Sequence, residues 1–429
     1  MQDAYGELEA RGFLYQVTDE ARVRERLARG PVTFYVGFDP TAATLHVGSL
    51  VPILAMRLLQ RWGHRAVALV GGGTAMVGDP SGKTEARRLL GPDEIEANTR
   101  GLEAQLARFL VLDGARGVMR NNAEWLAPLQ YIPFLRDIGR HFSVNRMLSA
   151  ESYRLRLETG LSFLEFNYML LQAYDFLVLH EREGCTLQVG GQDQWGNIVA
   201  GTDLIRRVRQ DDAFGLTLPL LTSSSGEKFG KSVSGAVWLD ADRTPPFDFY
   251  QFWRNTDDRD VARFLKLFTD LPPAECERLG ALAPPLLNRA KEILGYEVTR
   301  LTHGAAAAAA AWGAACREFG EADPEHGVET SSGIRALSAG GSSASLPEVI
   351  LEGPEAFVPI PVLDLFVRAG LCTSRGEARR LVRQGGARIG DRAVADETET
   401  LVPADAGPGT LLKAGRKRVA RLVVRPAPR

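Results

Sequence analysis

At 429 residues the chain is too long for one ordinary domain, and we expect two to four. It is 45% hydrophobic, but no segment approaches the roughly 20 apolar residues of a membrane helix, and the N-terminal segment lacks a secretory apolar run. Four cysteines without metal-ligand or paired spacing predict reduced thiols, no metal site and a cytoplasmic protein. These cysteines are Cys185, Cys276, Cys316 and Cys372.

The charge is distributed unevenly along the chain. The formal net charge is −2, yet residues 361–429 hold 14 Arg and Lys against 7 Asp and Glu, a net charge of +7 that leaves −9 for the remainder. A basic module attached to an acidic body is typical of an RNA-binding appendage.

The first predicted unit is a strand, a helix and a second strand. Residues 32–37 alternate β-forming residues and end on glycine, a helical pattern begins at Ser49, and residues 66–70 form a strand that runs into glycines. About 35 residues is the expected size of a parallel crossover. His46, Gly48 and Ser49 therefore lie at a helix N-terminus, where free amides favour phosphate and a glycine permits close approach.

A lysine pair stands out against the composition. The chain has 44 arginines but 7 lysines, and two of these, Lys228 and Lys231, occur within five residues. Alone, this pair could equally belong to a solvated loop. Together with residues 44–49 it indicates compact ammonium groups that bind phosphate. The preceding residues 222–227 are small and polar, which is typical of a loop that closes over a ligand.

Two further segments carry candidate ligand groups. Within the apolar run 163–179, Tyr168, Gln172 and Asp175 have i, i+4 and i+7 spacing, which places them on one helix face. Such a face is commonly solvent-exposed, but buried polar groups need partners and a ligand could supply them. Residues 187–191 read as a strand ending in glycines, and Asp193 and Gln194 follow, a pattern that suits ribose hydroxyls.

The second half of the chain is predicted to be helical through residues 247–252, 261–268, 283–294 and 305–317. Residues 331–346 are rich in Ser, Gly and Ala, which is typical of a flexible linker. Arginines in and beside residues 374–382 would lie on or beside one helical face and form a candidate RNA-binding face, with a solvated surface as the alternative. They are Arg375, Arg379, Arg380 and Arg383, joined further along the chain by Arg416, Lys417 and Arg418.

Taken together, these motifs resemble those of class I aminoacyl-tRNA synthetases. The segment PTAATLHVGS at residues 40–49 resembles the HIGH signature, and KFGKS at 228–232 resembles the KMSKS loop. The segments YVGFDPT at 35–41, VGDPS at 77–81, FLRDIG at 134–139 and GGQDQWGN at 190–197 are similar to the bacterial tyrosyl-tRNA synthetase family. This similarity covers nearly the whole chain.

The resemblance implies an α/β fold with a doubly wound, Rossmann-like parallel-sheet catalytic domain at residues 1–235. It implies a helical anticodon-side domain at 236–330, a linker at 331–358, and at 359–429 a small α+β RNA-binding domain like that of the ribosomal protein S-four family. It also implies tyrosine activation with ATP and Mg²⁺, no tightly bound cofactor, transfer to tRNA(Tyr), and a homodimer formed around residues 125–165.

The resemblance further implies a role for each matching residue. The catalytic set would be His46, Ser49, Lys83, Lys228 and Lys231. The tyrosine-binding set would be Tyr35, Asp79, Tyr168, Gln172, Asp175 and Gln194. The ATP-binding set would be Asp39, Gly48, Gly191, Asp193 and Lys231.

One position departs from the family pattern, because Ser49 stands where the second histidine of the HIGH signature is usual. A serine hydroxyl can still donate to phosphate. Two alternatives stay open at this point: a non-catalytic RNA-binding protein with a synthetase body, which Ser49 favours, and a tryptophanyl-tRNA synthetase, which Tyr35 and Asp175 oppose.

Overall fold

The computed structural model describes residues 3–81, 90–157, 160–222, 224, 230–232, 235–337, 348–390, 392–407, 410–415 and 418–425. The chain divides into two compact units. The N-terminal unit comprises Met1–Thr222 with Lys266–Phe268, and the C-terminal unit comprises Ser223–Leu265 with Thr269–Arg429. The division falls 13 residues before the boundary predicted after residue 235.

The N-terminal unit contains six strands and eleven helices among the described residues. The strands are β1 (Gln16–Val17), β2 (Thr33–Phe38), β3 (Arg65–Val70), β4 (Gly117–Asn121), β5 (Cys185–Gly191) and β6 (Phe214–Leu218). The helices are α1 (Ala4–Arg11), α2 (Glu20–Arg29), α3 (Leu50–Arg61), α4 (Pro92–Phe109), α5 (Ala123–Leu126), α6 (Tyr131–Asp137), α7 (Val144–Leu148), α8 (Glu151–Leu157), α9 (Phe163–Phe166), α10 (Tyr168–Glu183) and α11 (Trp195–Arg209).

These strands form one mixed sheet in the order β1-β6-β5-β2-β3-β4. Strand β1 is antiparallel to β6, and every other neighbouring pair is parallel. From β2 the chain proceeds through β3 and β4 to one edge, then returns to β5 beside β2 and proceeds to β6. The sheet is therefore doubly wound, as predicted, and its switch point lies between β2 and β5, where ligands bind in such folds.

The predicted strands at 32–37, 66–70 and 187–191 correspond to β2, β3 and β5, and the helix after Ser49 is α3. The single helix expected over residues 163–179 is instead two helices that meet at Asn167. The Tyr153 hydroxyl explains the break, because it accepts from the Met169 amide (3.1 Å) and donates to the Phe166 carbonyl (2.8 Å) at the junction. A side chain thus replaces backbone hydrogen bonds there.

The C-terminal unit begins with the hairpin β7 (Lys231–Ser232) and β8 (Gly235–Ala236). Its helices are α12 (Pro246–Arg254), α13 (Val261–Phe268, whose last three residues belong to the N-terminal unit), α14 (Pro273–Gly280), α15 (Leu287–His303) and α16 (Ala305–Phe319). The helical character predicted for this part of the chain is confirmed, although α15 begins four residues later and ends nine residues later than the pattern indicated.

The last part of the chain forms a small α+β module. Its elements are β9 (Glu348–Glu352), β10 (Ile360–Pro361), α17 (Val362–Arg368), α18 (Arg375–Arg383), β11 (Ala387–Ile389), β12 (Arg392–Ala393), β13 (Thr400–Leu401), β14 (Leu411–Ala414) and β15 (Arg418–Arg425). One sheet has the order β12-β11-β14-β15-β9, and β10 pairs with β13.

The linker predicted over residues 331–358 is shorter than expected. Residues 348–352 are strand β9, which pairs in parallel with β15 and belongs to the C-terminal module. Before it, Ile334 is fully buried within a 3₁₀ turn, and the Ser332 hydroxyl donates to Glu297 (2.5 Å). A composition rich in Ser, Gly and Ala did not reveal these contacts, because each depends on a distant partner.

Among the described residues, no helix has the length and apolar character that crossing a membrane requires. All four cysteines are buried and unbonded to one another.

Candidate active site

Polar residues gather where the parallel strands of the N-terminal unit end. Asp39 follows β2, Thr74 lies in the 3₁₀ turn after β3, Asn122 follows β4, and Asp193 and Gln194 follow β5. Because the carboxyl ends of parallel strands share one edge of the sheet, these side chains and those of helix α10 line a common site at the switch point.

At one end of the site, Tyr35 and Asp175 are both buried, with 1% and 2% of their surface exposed. The Tyr35 hydroxyl has no hydrogen-bond partner among the described residues. Asp175 accepts from Asn122 Nδ2 (2.9 Å) and Trp125 Nε1 (2.7 Å). A buried hydroxyl without a partner is costly, and such groups often mark a place where a ligand binds.

A chain of hydrogen bonds leads from Asp175, in the middle of helix α10, to Tyr168 at its start. Asn122 Nδ2 also donates to Thr74 Oγ1 (3.0 Å), and Thr74 Oγ1 is 3.0 Å from Asp39 Oδ1. The Tyr168 hydroxyl donates to Asp39 Oδ2 (3.0 Å). Tyr168 and Asp175, which the spacing placed on one helix face, therefore lie at the two ends of one network.

Asp79 lies at the centre of a second group of polar contacts. Its carboxylate accepts from the Ser81 amide (2.9 Å) and from Gln194 Nε2 (2.7 Å). Asn197 Nδ2 lies 3.1 Å from both Gln194 Oε1 and Gln172 Oε1. Four of the predicted site residues are thus linked to one another, because Gln194 Nε2 also lies 3.2 Å from Asp193 Oδ2.

Burial and mutual repulsion perturb the acidic groups of the site. Burial raises the pKa of Asp175 to about 7, against the effect of its two hydrogen bonds, and the charge of Asp39 adds to the rise. Burial and the charge of Asp39 raise the pKa of Asp79 to about 6. Burial raises the pKa of Tyr168 well above its usual value, and the charges of Asp39 and Asp79 add to the rise. A cationic group entering between these carboxylates is therefore favoured.

The predicted phosphate-binding segment has the expected place before helix α3. His46 is exposed, and its Nδ1 accepts from the Gly48 amide (3.0 Å). A Cβ atom at Gly48 would lie within 3 Å of the His46 ring, so a side chain at this position would displace the ring. Ser49 is the N-cap residue of α3, yet its hydroxyl makes no capping hydrogen bond.

Several predicted site residues fall where the structure gives little or no description. Lys83, Lys228, Arg416 and Lys417 lie outside the described residues, and only the backbone of Lys231, in β7, is described. Within the described residues, no group of three or more His, Cys, Asp or Glu side chains is placed to hold a metal ion.

The arginines of helix α18 are exposed, as predicted, but most have acidic partners. Arg375 pairs with Asp364, and Arg379 (3.6 Å) and Arg383 (2.9 Å) pair with Glu397. Arg418, in β15, pairs with Glu377 (2.9 Å). No carboxylate partner of Arg380 occurs among the described residues. Most arginines of this face are therefore already paired with carboxylates, which the net charge of +7 for residues 361–429 takes into account.

Comparison with known proteins identifies the family. A family model for class I tRNA synthetases (W and Y) matches residues 27–319. The chain is 52% identical over 424 residues to the tyrosine–tRNA ligase of Desulfosudis oleivorans, which covers 97% of this chain and 98% of that protein. The chain belongs to the tyrosine–tRNA ligase family. A second member of the family, from Syntrophus aciditrophicus, is 48% identical over 420 residues, with 97% and 98% covered.

Solved structures of the family share the fold. A C-terminally truncated mitochondrial tyrosyl-tRNA synthetase from Aspergillus nidulans aligns with a TM-score of 0.67 and 31% identity, covering 74% of this chain and 95% of that one. The tyrosyl-tRNA synthetase of Archaeoglobus fulgidus complexed with L-tyrosine has a TM-score of 0.55 at 19% identity, covering 71% and 98%, and supports the fold alone. The predicted family and Rossmann-like fold are confirmed.

Some residues of the site in this member of the tyrosine–tRNA ligase family were not predicted from the sequence. They are Thr74, Ser81, Asn122, Trp125 and Asn197. Asn122 directly follows strand β4, so the rule that polar residues after parallel strands converge could have identified it. Thr74 follows the glycines after β3 and carries the same signal, and Ser81 and Asn197 end two of the segments similar to the family. Trp125 carries no comparable signal, because its contact is with Asp175, 50 positions away.

Proposed function

We propose that this protein activates L-tyrosine with ATP, forming tyrosyl-adenylate and releasing diphosphate, and then transfers the tyrosyl group to the 3′ end of tRNA(Tyr). The proposal draws on the family, on the placement of Tyr35 and Asp175, and on the polar network around Asp79. It places the protein in the cytoplasm, where tRNA is charged.

The observation that carries the proposal is the unpartnered hydroxyl of Tyr35 beside Asp175. A substrate phenol is both donor and acceptor, so it can donate to the Asp175 carboxylate and accept from Tyr35. An indole N–H only donates, and tryptophan would leave the Tyr35 hydroxyl without a partner. Phenylalanine would leave both groups without one. This arrangement therefore favours tyrosine over both.

The other end of the pocket is suited to the ammonium group of the amino acid. Asp79 supplies a buried carboxylate, and Tyr168, Gln172 and Gln194 supply hydroxyl and amide oxygens. Binding the ammonium would favour the ionised form of Asp79 and offset its repulsion with Asp39. The substrate carboxylate would then lie near Gln194 at the strand ends.

In the proposed reaction, a carboxylate oxygen of tyrosine attacks the α-phosphorus of ATP as the bond to the bridging oxygen of diphosphate breaks. The carboxylate is already ionised, so no general base is needed. Asp39, Gly48, Gly191 and Asp193 would hold the nucleotide. The developing phosphate charge would be stabilised by donors from the catalytic set His46, Ser49, Lys83, Lys228 and Lys231.

The Mg²⁺ in this reaction belongs to the substrate. It would accompany ATP, bound by the phosphates, and leave with diphosphate. The ring of donors proposed around the phosphates consists of imidazole, hydroxyl and ammonium groups, which suits phosphate oxygens rather than a resident metal ion.

We propose that the C-terminal module binds tRNA through the exposed arginines of α18 and through Arg416, Lys417 and Arg418. Arginine contacts to phosphate add affinity without reading sequence. The division into a catalytic part (1–235), a helical anticodon-side part (236–330) and an RNA-binding module, the last beginning at β9, is part of this proposal.

We also propose that the protein is a homodimer formed around residues 125–165. Six of the fifteen large hydrophobic side chains that are exposed in the described chain lie in or next to this range. They are Tyr131, Ile132, Val144, Leu157, Phe163 and Leu164. Exposed apolar side chains concentrated in one segment favour burial against a second copy. Light scattering should give twice the chain mass for the purified protein and a lower mass for Ile132→Asp.

ATP–diphosphate exchange measured with each of the twenty amino acids tests the proposed activity. We expect exchange with tyrosine only. Exchange with tryptophan would support the tryptophan alternative, and exchange with none, together with tRNA binding, would indicate a non-catalytic RNA-binding protein.

A further inference from the structure

We propose that Thr74 is a positioning residue that couples the two ends of the amino-acid pocket. The Thr74 hydroxyl would transmit a change in the charge or position of the Asp175 carboxylate, which binds the phenol, to Asp39 and Tyr168 at the reaction end. This inference rests on the proposed function, which assigns one end of the pocket to the phenol and the other to the reaction. The hydrogen-bond network that carries the inference is independent of any ligand.

Asn122 is fixed by three contacts, which makes it a rigid link. Its Oδ1 accepts from the Gly73 amide (2.7 Å), and its Nδ2 donates to Asp175 (2.9 Å) and to Thr74 (3.0 Å). Both amide protons and the amide oxygen are therefore in use. Asn122 and Thr74 are 1% and 2% exposed, so water does not compete for these bonds.

The Thr74 hydroxyl has a defined direction in this network. Because its oxygen accepts from Asn122, its single proton is directed to an acceptor, either Asp39 Oδ1 (3.0 Å) or the Gly71 carbonyl (3.2 Å). Asp39 also accepts from Tyr168. A ligand that changes the charge or position of Asp175 can therefore change which acceptor the Thr74 proton takes.

The backbone beside Thr74 is shaped for this contact. A Cβ atom at Gly71 would lie within 3 Å of both Asp39 Oδ1 and Thr74 Oγ1. Glycine is thus the residue that allows the strand end after β3 to come close enough for the two side chains to bond.

The test uses Thr74→Val, which keeps the shape but removes the hydroxyl, with Thr74→Ser as the matched control that retains it. The first readout does not depend on activity. It is the NMR resonance of the Trp125 indole Nε1–H, which donates to Asp175. The loss of this resonance in Trp125→Phe assigns it. We expect Tyr168→Phe to shift this resonance in wild type and in Thr74→Ser, and to leave it unmoved in Thr74→Val. No shift in wild type, or an equal shift in Thr74→Val, would overturn the coupling.

The second readout is kcat/KM for tyrosine in ATP–diphosphate exchange. We expect the fold-change in kcat/KM for the double variant, Trp125→Phe with Tyr168→Phe, to differ from the product of the two single fold-changes by about threefold to tenfold. This difference should vanish when Thr74→Val is also present. Independent effects with Thr74 present would contradict the proposal. If wild type shows no tyrosine-dependent exchange, the proposed function fails, and the resonance still decides the coupling.

Discussion

The Tyr35 hydroxyl lies within the field of the Asp175 carboxylate, yet neither group is a hydrogen-bond partner of the other. Burial raises the pKa of Tyr35 well above its usual value and the charge of Asp175 adds to the rise, while Asp175 is held by Asn122 and Trp125. In the free protein the Tyr35 hydroxyl is therefore left without a hydrogen-bond partner among the described residues, while Asp175 has two. A buried hydroxyl in this state lowers the free energy of unfolding, and a ligand that bonds to the Tyr35 hydroxyl would recover this stability.

The stability of Tyr35→Phe should show this cost directly. Removing a buried hydroxyl that has no described partner should leave the free energy of unfolding unchanged or raise it by about 1 kcal/mol. The matched control is Tyr153→Phe, whose hydroxyl makes two hydrogen bonds and whose loss should cost about 1–3 kcal/mol. Urea unfolding measures both, and destabilisation of Tyr35→Phe as large as that of the control would show that its hydroxyl is satisfied.

Ser49 should matter for chemistry and not for folding. Because its hydroxyl makes no capping bond to α3, Ser49→Ala should change the free energy of unfolding by less than about 0.5 kcal/mol. If the hydroxyl donates to ATP phosphates, the barrier to adenylate formation should rise by about 1–3 kcal/mol, and Ser49→His should be tolerated.

Pre-steady-state formation of adenylate measures the effect of Ser49→Ala. Ser374→Ala is the matched control, since Ser374 caps α18 by accepting from the Glu377 amide (3.2 Å). It should cost about 1 kcal/mol of stability without slowing adenylate formation. An unchanged rate for Ser49→Ala would show that its hydroxyl does not donate to the ATP phosphates.

Tyrosine binding should weaken as the pH falls below about 7. The Asp175 carboxyl, with a pKa of about 7, is increasingly protonated in the free protein below that pH. It must lose this proton before its carboxylate can accept a hydrogen bond from the substrate phenol. Asp79, with a pKa of about 6, should add a second dependence near pH 6. Calorimetry in two buffers near pH 6.5 should show proton release on tyrosine binding. An affinity for tyrosine that does not change between pH 5.5 and 8 would contradict this account.

The same pKa shift has a defined sign for stability. Because the folded-state pKa of Asp175 lies above the unfolded value of about 3.9, the folded protein binds more protons between about pH 4 and 7. The contribution of Asp175 to the free energy of unfolding therefore falls as the pH rises through this window.

Removal of residues 347–429 should separate the two proposed steps. All residues proposed to contact tyrosine or ATP lie before residue 235, so ATP–diphosphate exchange should be retained. Charging of tRNA should weaken, and the salt dependence of tRNA binding should flatten as phosphate contacts are lost. A truncated protein that charges tRNA normally at physiological salt would contradict the RNA-binding role of the module.

Single substitutions refine that test. Arg380 has no carboxylate partner among the described residues, whereas Arg375 is neutralised by Asp364. Arg380→Ala should therefore weaken tRNA binding more than Arg375→Ala and reduce the slope of log K against log salt by about one. Equal effects would show that the Arg375 pair opens when tRNA binds.

The sequence predicted those parts of the site that local patterns encode. Tyr168 and Asp175 could be placed on one face from helical spacing, and Asp193 from a strand that ends in glycines. Asn122 and Thr74 could not be paired with Asp175 and Asp39, because these contacts join residues 53 and 35 positions apart. The break at Asn167 was also hidden, since it depends on Tyr153 from a separate helix.

The boundary of the C-terminal module illustrates the same limit. Strand β9 is short, and it follows a stretch rich in Ser and Gly, so composition assigned it to the linker. Its partner β15 lies about 70 residues further along the chain, and the parallel register from Glu348 to Glu352 is visible only in the folded module. Pairing between distant strands is set by tertiary contacts that local propensity does not contain.

Selectivity for tyrosine over phenylalanine tests the central claim most directly. The measurement is the ratio of kcat/KM for the two amino acids in ATP–diphosphate exchange, for wild type, Tyr35→Phe and Asp175→Ala. We expect the ratio to fall about fivefold for Tyr35→Phe, the value of one neutral hydrogen bond of about 1 kcal/mol, and further for Asp175→Ala, which removes a charged acceptor. An unchanged ratio for both variants would mean that the phenol is recognised elsewhere in the protein.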